Sequence, residues 1–385
     1  MKEYRFPCSV CKKCGGCQLT NMTYEEQLSY KQAKEIRLLG KFGHVNEIIS
    51  AGQPFYYRNK VQAAFGRTRG GEIISGVYQS STHNIVKVDS CLLEDKRADA
   101  IIVTVRKMLR EFKLTVYDEN KQTGFLRHVL VKVAQGTGEI MVVLVTGTRD
   151  FKSKNAFCAA LRERHPEITT ILQNVNNRFT SLVLGEEEHV LYGDGYITDE
   201  LLGKRFRISS RSFYQINYEA TKILYNTAIE YAGLTGRERV IDAYAGVGTI
   251  GMVCADNARE ILSVELNKDA VADARRNAKL NGIKNMSFVC ADATEFLTDL
   301  AQQNEKADVV IMDPPRAGST VQFMKSVCVL APERVVYVSC SPETLARDLH
   351  WFVQHGYKVK KIQPVDMFPN TNHIESVVLM SRARS

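Results

Sequence analysis

The sequence predicts an α/β protein in which a C-terminal parallel sheet, covered by helices on both faces, follows an α+β domain. After about residue 206, short apolar segments alternate with helical segments, a rhythm that is typical of parallel sheets. Before that point strand and turn patterns dominate, and four cysteines crowd the first 17 residues. We therefore predict two domains, residues 1–205 and residues 206–385.

The first domain begins with a segment rich in cysteine, lysine and glycine, over residues 1–20. An amphipathic pattern then predicts a helix over 23–41, with Thr23 and Glu26 placed to form a capping box. The segments that follow are strands within 55–90, a helix at 95–113, strands at 125–135 and 139–148, a helix at 152–164, and strands with turns at 169–176 and 190–209.

The second domain is predicted to begin with a helix near 217–233. Seven apolar strands follow, at 239–245, 260–266, 286–292, 308–315, 334–340, 357–365 and 376–382. No clear helix separates the last two strands, which predicts a hairpin and therefore one antiparallel strand in the sheet.

The bulk composition is that of an ordinary globular protein, with 385 residues and a net charge of +8 at pH 7. This charge is compatible with a phosphate-rich partner such as nucleic acid. No apolar run approaches the length of a membrane span. The first residues lack the apolar core of a secretory signal, so we expect a cytoplasmic location.

Acidic residues and glycines end three successive strands of the second domain. Asp242 is followed by a turn with Gly246 and Gly248, Glu265 closes the next strand, and Asp292 closes the third. The Gly-x-Gly turn alone also fits an ordinary strand-to-helix connection. A carboxylate at the second strand end is suited to bind ribose hydroxyls, and glycines allow a ligand close to the backbone. Together the pattern resembles the class I (Rossmann-like) S-adenosylmethionine methyltransferases.

A cysteine stands at the carboxyl end of the fifth strand, where open α/β sheets place their chemistry. Cys340 follows a buried strand, and Ser341 and Pro342 are placed to start a helix. Most free cysteines are simply small buried hydrophobes. The predicted cofactor residues on neighbouring strand ends instead favour a catalytic thiol. Arg316 occupies the place where amino-directed methyltransferases have an aromatic residue, which argues against methylation of an amine.

Methylation of a uracil ring at C5 would explain the thiol. C5 is a poor nucleophile until a thiolate adds to C6 and moves electron density onto it. A base must later remove the C5 proton. His373 and Glu375 lie immediately before the last strand, and chemistry alone allows either of them to be this base.

Three spaced motifs, "DPPRAG", "VVYVSCSPET" and "VDMFPNTNHIE", resemble the signatures of the RNA uracil-C5 methyltransferase family over essentially the whole chain. The resemblance implies that Cys340 is the nucleophile and Glu375 the base, with Phe213 and Arg316 near the substrate. Asn370 departs from the residues usual in the family at its position. The positions that match S-adenosylmethionine contacts are Gln215, Tyr244, Thr249, Glu265, Asp292 and Asp313.

The spacing of Cys8, Cys11, Cys14 and Cys17 favours a metal site, but it does not choose between zinc and an iron–sulfur cluster. The family resemblance implies a [4Fe–4S] cluster. Its members' pattern selects the ligands Cys8, Cys14, Cys17 and Cys91 and leaves Cys11 spare, with zinc as the alternative.

The resemblance implies RNA as the partner, and the cysteine pattern favours large-subunit (23S) ribosomal RNA over transfer RNA. We expect a monomer. The central domain would contribute to RNA binding, and there Arg127, His128 and Lys132 lie on a strand, with the first two expected on a solvated edge.

Three other functions stay open: a transfer RNA uridine-C5 methyltransferase, a different S-adenosylmethionine-dependent RNA base methyltransferase, and a non-catalytic iron–sulfur RNA-binding protein. A cytosine-C5 enzyme is disfavoured because Pro315 and Arg316 stand where such enzymes carry a second cysteine.

Overall fold

The computed structural model describes residues 8–79, 82 and 84–382 of the chain. The first seven residues, on which the expectation about a secretory signal rests, lie outside this part. The described helices are α1 Cys11–Cys14, α2 Tyr24–Leu39, α3 Lys96–Glu111, α4 Lys154–Arg164, α5 Tyr218–Ala232, α6 Thr249–Cys254, α7 Lys268–Leu280, α8 Ala293–Gln302, α9 Val321–Leu330 and α10 Pro342–Gln354.

The strands agree closely with those expected from the sequence. They are β1 Ile49–Ser50, β2 Lys60–Arg67, β3 Ile73–Tyr78, β4 Ile85–Lys87, β5 Leu126–Val133, β6 Ile140–Thr146, β7 Ile168–Val175, β8 Glu187–Tyr192, β9 Ile197–Leu201, β10 Lys204–Ile208, β11 Arg239–Ala243, β12 Glu260–Glu265, β13 Met286–Cys290, β14 Val309–Met312, β15 Arg334–Ser339, β16 Tyr357–Asp366 and β17 Glu375–Arg382.

The chain forms two compact units, and the second is discontinuous in sequence. The first unit contains Met1–Asn21, Gln53–Glu200 and Arg207–Arg211. The second unit contains Met22–Gly52, Leu201–Phe206 and Ser212–Ser385. The predicted division at 205/206 therefore differs from the compact units in one substantial respect, because α2 and β1 belong to the second unit.

The first unit is built on a seven-stranded sheet in the order β4-β3-β2-β5-β6-β7-β8. All neighbouring pairs are antiparallel except β6 and β7. The central strands β5 and β6 are buried along their whole length, and helices α3 and α4 contribute apolar side chains to the same core.

The position of β5 corrects one expectation from the sequence. Arg127, His128 and Lys132 are all buried, with at most 6% of each residue exposed, because β5 pairs with strands on both sides. Arg127 forms a bidentate ion pair with Glu119 and donates to the Asn176 carbonyl at 2.6 Å. These side chains therefore do not form the solvated edge that was expected.

The second unit is built on an eight-stranded sheet in the order β1-β16-β17-β15-β14-β11-β12-β13. Only β17 runs antiparallel to its neighbours, as the predicted hairpin requires. An antiparallel strand begins at the edge where its parallel neighbours end. The residues just before and at the start of β17 consequently reach the carboxyl edge of the sheet.

Local signals explain why the helices begin where they do. Thr23 and Glu26 form the expected capping box at the start of α2, with bonds of 3.2 and 2.8 Å. Ser341 caps α10, and Pro342 occupies its first position. In the part of the chain that the structure describes, no helix is both long and apolar enough to cross a bilayer.

Candidate active site

The register of the sheet brings the predicted nucleophile and base together. In the antiparallel ladder between β15 and β17, Ser339 is opposite Ser376. One step further along this ladder, Cys340 leaves β15 at the level where Glu375 enters β17. Opposite residues of an antiparallel pair have Cβ atoms about 4.5–5.5 Å apart, so these two side chains share one corner of the sheet edge.

Cys340 is a half-buried free thiol. Burial raises the pKa of its thiol to about 11, and the carboxyl groups of Glu375 and Asp313 act in the same direction. The guanidinium of Arg316 lowers the pKa of Cys340. The resting site therefore holds a protonated thiol, and Arg316 is the cation that favours its ionised form.

Glu375 is buried, with 5% of the residue exposed. Burial raises its pKa well above the ordinary value, Asp313 and Glu35 raise it further, and Arg316 lowers it. His373, the rival base, precedes β17 and lies 3.5 Å from an Arg316 nitrogen through its Nε2. His373 thus contacts Arg316 from the loop before β17, whereas Glu375 is the first residue of the strand.

Asp242 stabilises the turn at the end of β11. Its Oδ2 accepts hydrogen bonds from the Gly251 backbone N–H at 3.1 Å and from the Ser263 hydroxyl at 3.3 Å. A Cβ atom at position 251 would lie 2.7 Å from this same oxygen. Gly251 is therefore required for the contact between helix α6 and the strand end.

The backbone of this turn is left-handed at three alternate positions. Tyr244 has a φ of 61°, and Gly246 and Gly248 have φ values of 57° and 77°. A left-handed tyrosine is strained, and such strain is concentrated at functional sites. Glu265 fixes the turn, because its carboxylate accepts from the Gly246 N–H at 2.9 Å and from the Asn267 N–H at 2.8 Å.

Asp292 follows the neighbouring strand and caps helix α8. Its carboxylate accepts from the backbone N–H groups of Thr294 and Glu295, at 2.8 and 3.2 Å. Tyr244 lies near this carboxylate, which raises the pKa of the tyrosine after the larger effect of burial. Tyr244, Glu265 and Asp292 therefore surround the glycine turn, as a nucleoside site at this edge requires.

The buried Tyr225 links three of the predicted cofactor residues, and sequence reasoning missed it because its only signal is a helical position. Its hydroxyl hydrogen-bonds with Thr249 and Gln215, while the charges of Asp313 and Asp242 raise its pKa after burial. Burial also raises the pKa of Asp313 to about 7. The Tyr225 side chain of α5 therefore lies close to Gln215, Thr249 and Asp313.

Phe213 lies on the surface of the second unit, with 62% of the residue exposed. An exposed aromatic ring is free to stack on a nucleic-acid base. Its neighbour Ser212 is buried and donates to Asp273. The backbone beside Phe213 is therefore anchored while its ring is accessible.

Helix α2 supplies residues to this site that sequence reasoning missed. Three polar side chains, four residues apart, are fully buried on one face of the helix, and each holds part of the segment that leads into β17. Gln27 exchanges hydrogen bonds with Asn370, Lys31 pairs with Asp366 at 2.6 Å and donates to the Phe368 carbonyl at 3.0 Å, and Glu35 accepts from Ser376 at 3.0 Å.

Asn370, the departure from the family pattern, is explained by this packing. It is completely buried and has a left-handed φ of 67°, a conformation that asparagine adopts more readily than most residues. Its backbone N–H donates to Gln27 at 2.8 Å. Asn370 therefore shapes the turn that precedes the predicted base.

The N-terminal cysteines and Cys91 are free and half-buried. Burial raises the pKa of Cys17 to about 11, and Cys14, Cys8 and Cys11 add to this effect. Arg58 interacts electrostatically with both Cys17 and Cys91. Soft thiolate donors fit zinc or an iron–sulfur cluster chemically, but over residues 8–79, 82 and 84–382 no three potential ligands are arranged as a metal site.

Comparison with known proteins agrees with the fold. The chain superimposes with a TM-score of 0.78 on a crystal structure of the Pyrococcus abyssi tRNA (uracil-54, C5)-methyltransferase in complex with S-adenosyl-L-homocysteine. The sequences are 28% identical, and the match covers 95% of this chain and 85% of the other. The fold is therefore that of a class I S-adenosylmethionine-dependent methyltransferase.

The chain belongs to the tRNA (uracil-5-)-methyltransferase family, whose model matches residues 23–383. It is 43% identical over 379 residues to an uncharacterized RNA methyltransferase of Halalkalibacterium halodurans, covering 97% of this chain and 82% of that protein. An uncharacterized RNA methyltransferase of Clostridium tetani is 41% identical with the same coverage. The predicted family and enzyme class are confirmed.

Proposed function

We propose that this enzyme methylates C5 of a uridine in RNA through a covalent intermediate in which Cys340 is bonded to C6 of the uracil ring. The observation that carries the proposal is the placement of Cys340 and Glu375 at one level of the β15–β17 ladder. This arrangement supplies a nucleophile and a base at the same edge as the strained glycine turn.

The chain's residues act in a defined order in this mechanism. The Cys340 thiol gives its proton to solvent and its sulfur bonds to C6, while the electrons of the C5–C6 double bond move onto C5 and the adjacent carbonyl and make C5 nucleophilic. S-adenosylmethionine, bound by the residues around the glycine turn, supplies the methyl group. Glu375 then removes the proton from C5 as the C6–sulfur bond breaks, which restores the ring and frees the thiol.

Arg316 is suited to assist the first step. It lowers the pKa of both Cys340 and Glu375, and its side chain is exposed beside them. A cation here stabilises the thiolate and any negative charge that develops on the ring. We infer that it contacts the target uracil and that Phe213 stacks near the target base.

Trapping with RNA that contains 5-fluorouridine tests the covalent step. Fluorine cannot leave C5 as a proton does, so the wild-type enzyme should form a stable protein–RNA adduct on a denaturing gel. Cys340→Ala should form none, whereas Cys328→Ala should form as much as the wild type. Cys328 is a matched control because its half-buried thiol lies on helix α9, outside the site. A Cys340→Ala variant that still traps RNA would refute the mechanism.

We propose large-subunit ribosomal RNA as the substrate, supported by the N-terminal cysteine pattern, and transfer RNA as the second candidate. The Pyrococcus abyssi enzyme favours the second, because its name specifies a transfer RNA uracil. Mapping 5-methyluridine in both RNA classes from a strain that lacks the enzyme separates these substrates. Loss from ribosomal RNA alone supports the first candidate, and loss from transfer RNA alone supports the second.

We further propose that Cys8, Cys14, Cys17 and Cys91 hold a [4Fe–4S] cluster, with zinc as the alternative. Thiolate donor chemistry and the electrostatic interaction of Cys17 with Cys14, Cys8 and Cys11 support a metal site, and the family pattern supports this choice of ligands among them. Methyl transfer to carbon needs no redox step, so the role that we assign to the cluster is structural.

A further inference from the structure

Helix α10 begins just after the proposed nucleophile, and it also holds the loop that carries Arg316. This loop, residues 313–319, follows β14. Thr344, Arg347 and Asp348 of α10 all hydrogen-bond with the loop. Their spacing of three and four residues places them on one face of the helix. The mechanism above uses none of these three side chains.

Two of these side chains bind carbonyl groups of the loop. The Thr344 hydroxyl donates to the Arg316 carbonyl at 3.1 Å. Arg347 donates through Nη2 to the carbonyls of Ala317 and Ser319, at 3.0 and 3.2 Å. The backbone on both sides of the Arg316–Ala317 peptide is therefore fixed to the helix.

Asp348 is the buried centre of the contacts between α10 and the loop. It is completely buried, and its carboxylate accepts from the Ser319 backbone N–H and from the Tyr337 hydroxyl, both at 2.8 Å. The Arg347 Nε donates to the same carboxylate at 2.8 Å. Tyr337 belongs to β15, the strand that leads to the proposed nucleophile. A buried carboxylate with three donors is well satisfied, so Asp348 joins β15, α10 and the loop.

Gly318 shows how closely the loop approaches the helix. It has a left-handed φ of 76°. A Cβ atom at this position would lie 2.5 Å from Arg347 Nη2 and 2.7 Å from Asp348 Oδ2. Any side chain at position 318 would therefore push the loop away from α10.

The Arg316 side chain is exposed although its backbone is held. Its Nη2 lies 3.5 Å from His373 Nε2, in the segment just before the proposed base. A guanidinium on a fixed backbone loses less conformational freedom when it contacts a substrate than one on a free loop. Holding the backbone therefore favours a productive position of this cation.

On the basis of the proposed function, we propose that Thr344, Arg347 and Asp348 are positioning residues for Arg316. They fix the loop so that the Arg316 guanidinium is in place when Cys340 adds to C6 of the target uracil. These three residues do not touch the reacting atoms, because their effect passes through Arg316.

The test measures the rate of adduct formation with 5-fluorouridine RNA at saturating RNA, in a double-mutant cycle. Arg347→Ala should slow this rate by about 10–10²-fold, the scale expected for a misplaced catalytic group. S-adenosylmethionine affinity should be unchanged. When Arg316→Ala is already present, Arg347→Ala should slow the rate no further, because the group that it positions is gone.

Direct binding of an RNA phosphate is the rival role for Arg347, because 56% of its side chain is exposed. In that case the losses from Arg347→Ala and Arg316→Ala would multiply, and this result would overturn the proposal. Thr344→Val removes only the hydroxyl that holds the Arg316 carbonyl. It should slow the rate by about 2–10-fold, the effect of one hydrogen bond, and a wild-type rate in this variant would contradict the role of Thr344.

Two glycine variants separate positioning from a general loss of stability. Gly318→Ala inserts a methyl group between the loop and α10. Gly282→Ala is the matched control, because Gly282 also has a left-handed φ, 65°, but a Cβ atom there would contact nothing within 4 Å. Gly318→Ala should slow adduct formation as Arg347→Ala does, whereas Gly282→Ala should form adduct at the wild-type rate. Equal rates in the two glycine variants would overturn the proposal.

Failure of this inference can be distinguished from failure of the proposed function. A wild-type enzyme that traps no RNA refutes the covalent mechanism and this inference with it. If the wild type traps RNA and Arg316→Ala traps it equally fast, the covalent mechanism stands and only the positioning role is refuted.

Discussion

Cys340 and the residues of the glycine turn lie on different strands, which allows their roles to be separated by mutation. Cys340 directly follows β15, while Asp242 lies next to the last residue of β11 and Glu265 ends β12. We expect Cys340→Ala to abolish methylation and to leave S-adenosylmethionine affinity within about twofold of the wild type, as measured by calorimetry. A large loss of cofactor affinity would mean that the thiol supports the pocket instead.

Glu375 should be needed after the methyl group has been transferred. Glu375→Gln keeps the size of the side chain but cannot accept the C5 proton, so methylated RNA should accumulate as a covalent adduct on a denaturing gel. Loss of a general base typically costs about 10²–10⁴-fold, and release should slow by that factor. His373→Ala is the comparison, because trapping by that variant with normal turnover of Glu375→Gln would reverse the two roles.

Helix α2 shows how an element outside the predicted catalytic domain serves the active site. The ion pair between Lys31 and Asp366 is completely buried, whereas the pair between Lys34 and Glu343 on the same helix is partly exposed. Burial lowers the pKa of Lys31, and Asp366 opposes this effect. The two ion pairs therefore allow a buried pair and a partly exposed pair to be compared within one turn of the same helix.

Removing one partner of the buried pair should be strongly destabilising. We expect Lys31→Met to lower the free energy of unfolding by about 3–5 kcal/mol, because Asp366 is left as an unpaired buried charge. Lys34→Ala should cost less than about 1 kcal/mol. Denaturant unfolding measures both, and adding Asp366→Asn to Lys31→Met should recover part of the loss. Equal costs for the two lysine variants would contradict this account.

The N-terminal cysteine segment allows a proposed cluster ligand to be compared with a cysteine outside the ligand set. Protein purified without oxygen should be brown and contain about four irons. Cys91→Ser should remove the colour, whereas Cys11→Ser, which alters the cysteine outside the proposed ligand set, should keep it. Iron analysis and absorption spectra measure both outcomes. Stoichiometric zinc without iron would refute the cluster.

The strands and the placement of Cys340 could be predicted because they depend on local pattern. Val335, Val336 and Val338 are all fully buried, as a central parallel strand requires, and Ser341 and Pro342 mark the next helix. Once β17 was predicted to be antiparallel, its first residue had to lie at the same edge of the sheet as Cys340.

The contribution of α2 could not be predicted in this way. Gln27, Lys31 and Glu35 have the spacing and polarity of a solvated helix face, and their partners are more than 330 residues away in sequence. The prediction of a solvated position for Arg127 was wrong for the same reason. A cation on a strand is expected to be exposed unless its buried partners are known. Long-range polar pairing therefore accounts for the main errors.

The second unit contains several buried carboxyl groups. Each holds its proton more tightly in the folded state than in the unfolded chain. Burial raises the pKa values of Glu35, Asp242 and Asp313 to about 7 from ordinary values near 4, and it raises that of Glu375 as well. Between the ordinary pKa values near 4 and the folded-state values of about 7, the folded state binds more protons than the unfolded state. Stability that is present at low pH is then lost as the pH rises through the folded-state values.

We therefore expect the free energy of unfolding of this unit to decrease from about pH 4.5 to about pH 7.5, in the absence of cofactor, and to level off above that, where both states have lost these protons. The slope for each such group is about 1 kcal/mol per pH unit. Trp351, the single tryptophan, lies on α10 and reports on this unit by fluorescence. Glu35→Gln should flatten the dependence, and a stability that increases over this range would contradict the assignment.

The placement of β17 also has a consequence for synthesis of the protein on the ribosome. This strand, which ends at Arg382, lies between β16 and β15, so until it is made the sheet has a gap at the position of the proposed base. Helix α2 is made well before β17, yet its buried polar side chains find partners that lie more than 330 residues later in the chain. A nascent chain that has not yet completed β17 should therefore have no assembled site with which to modify RNA.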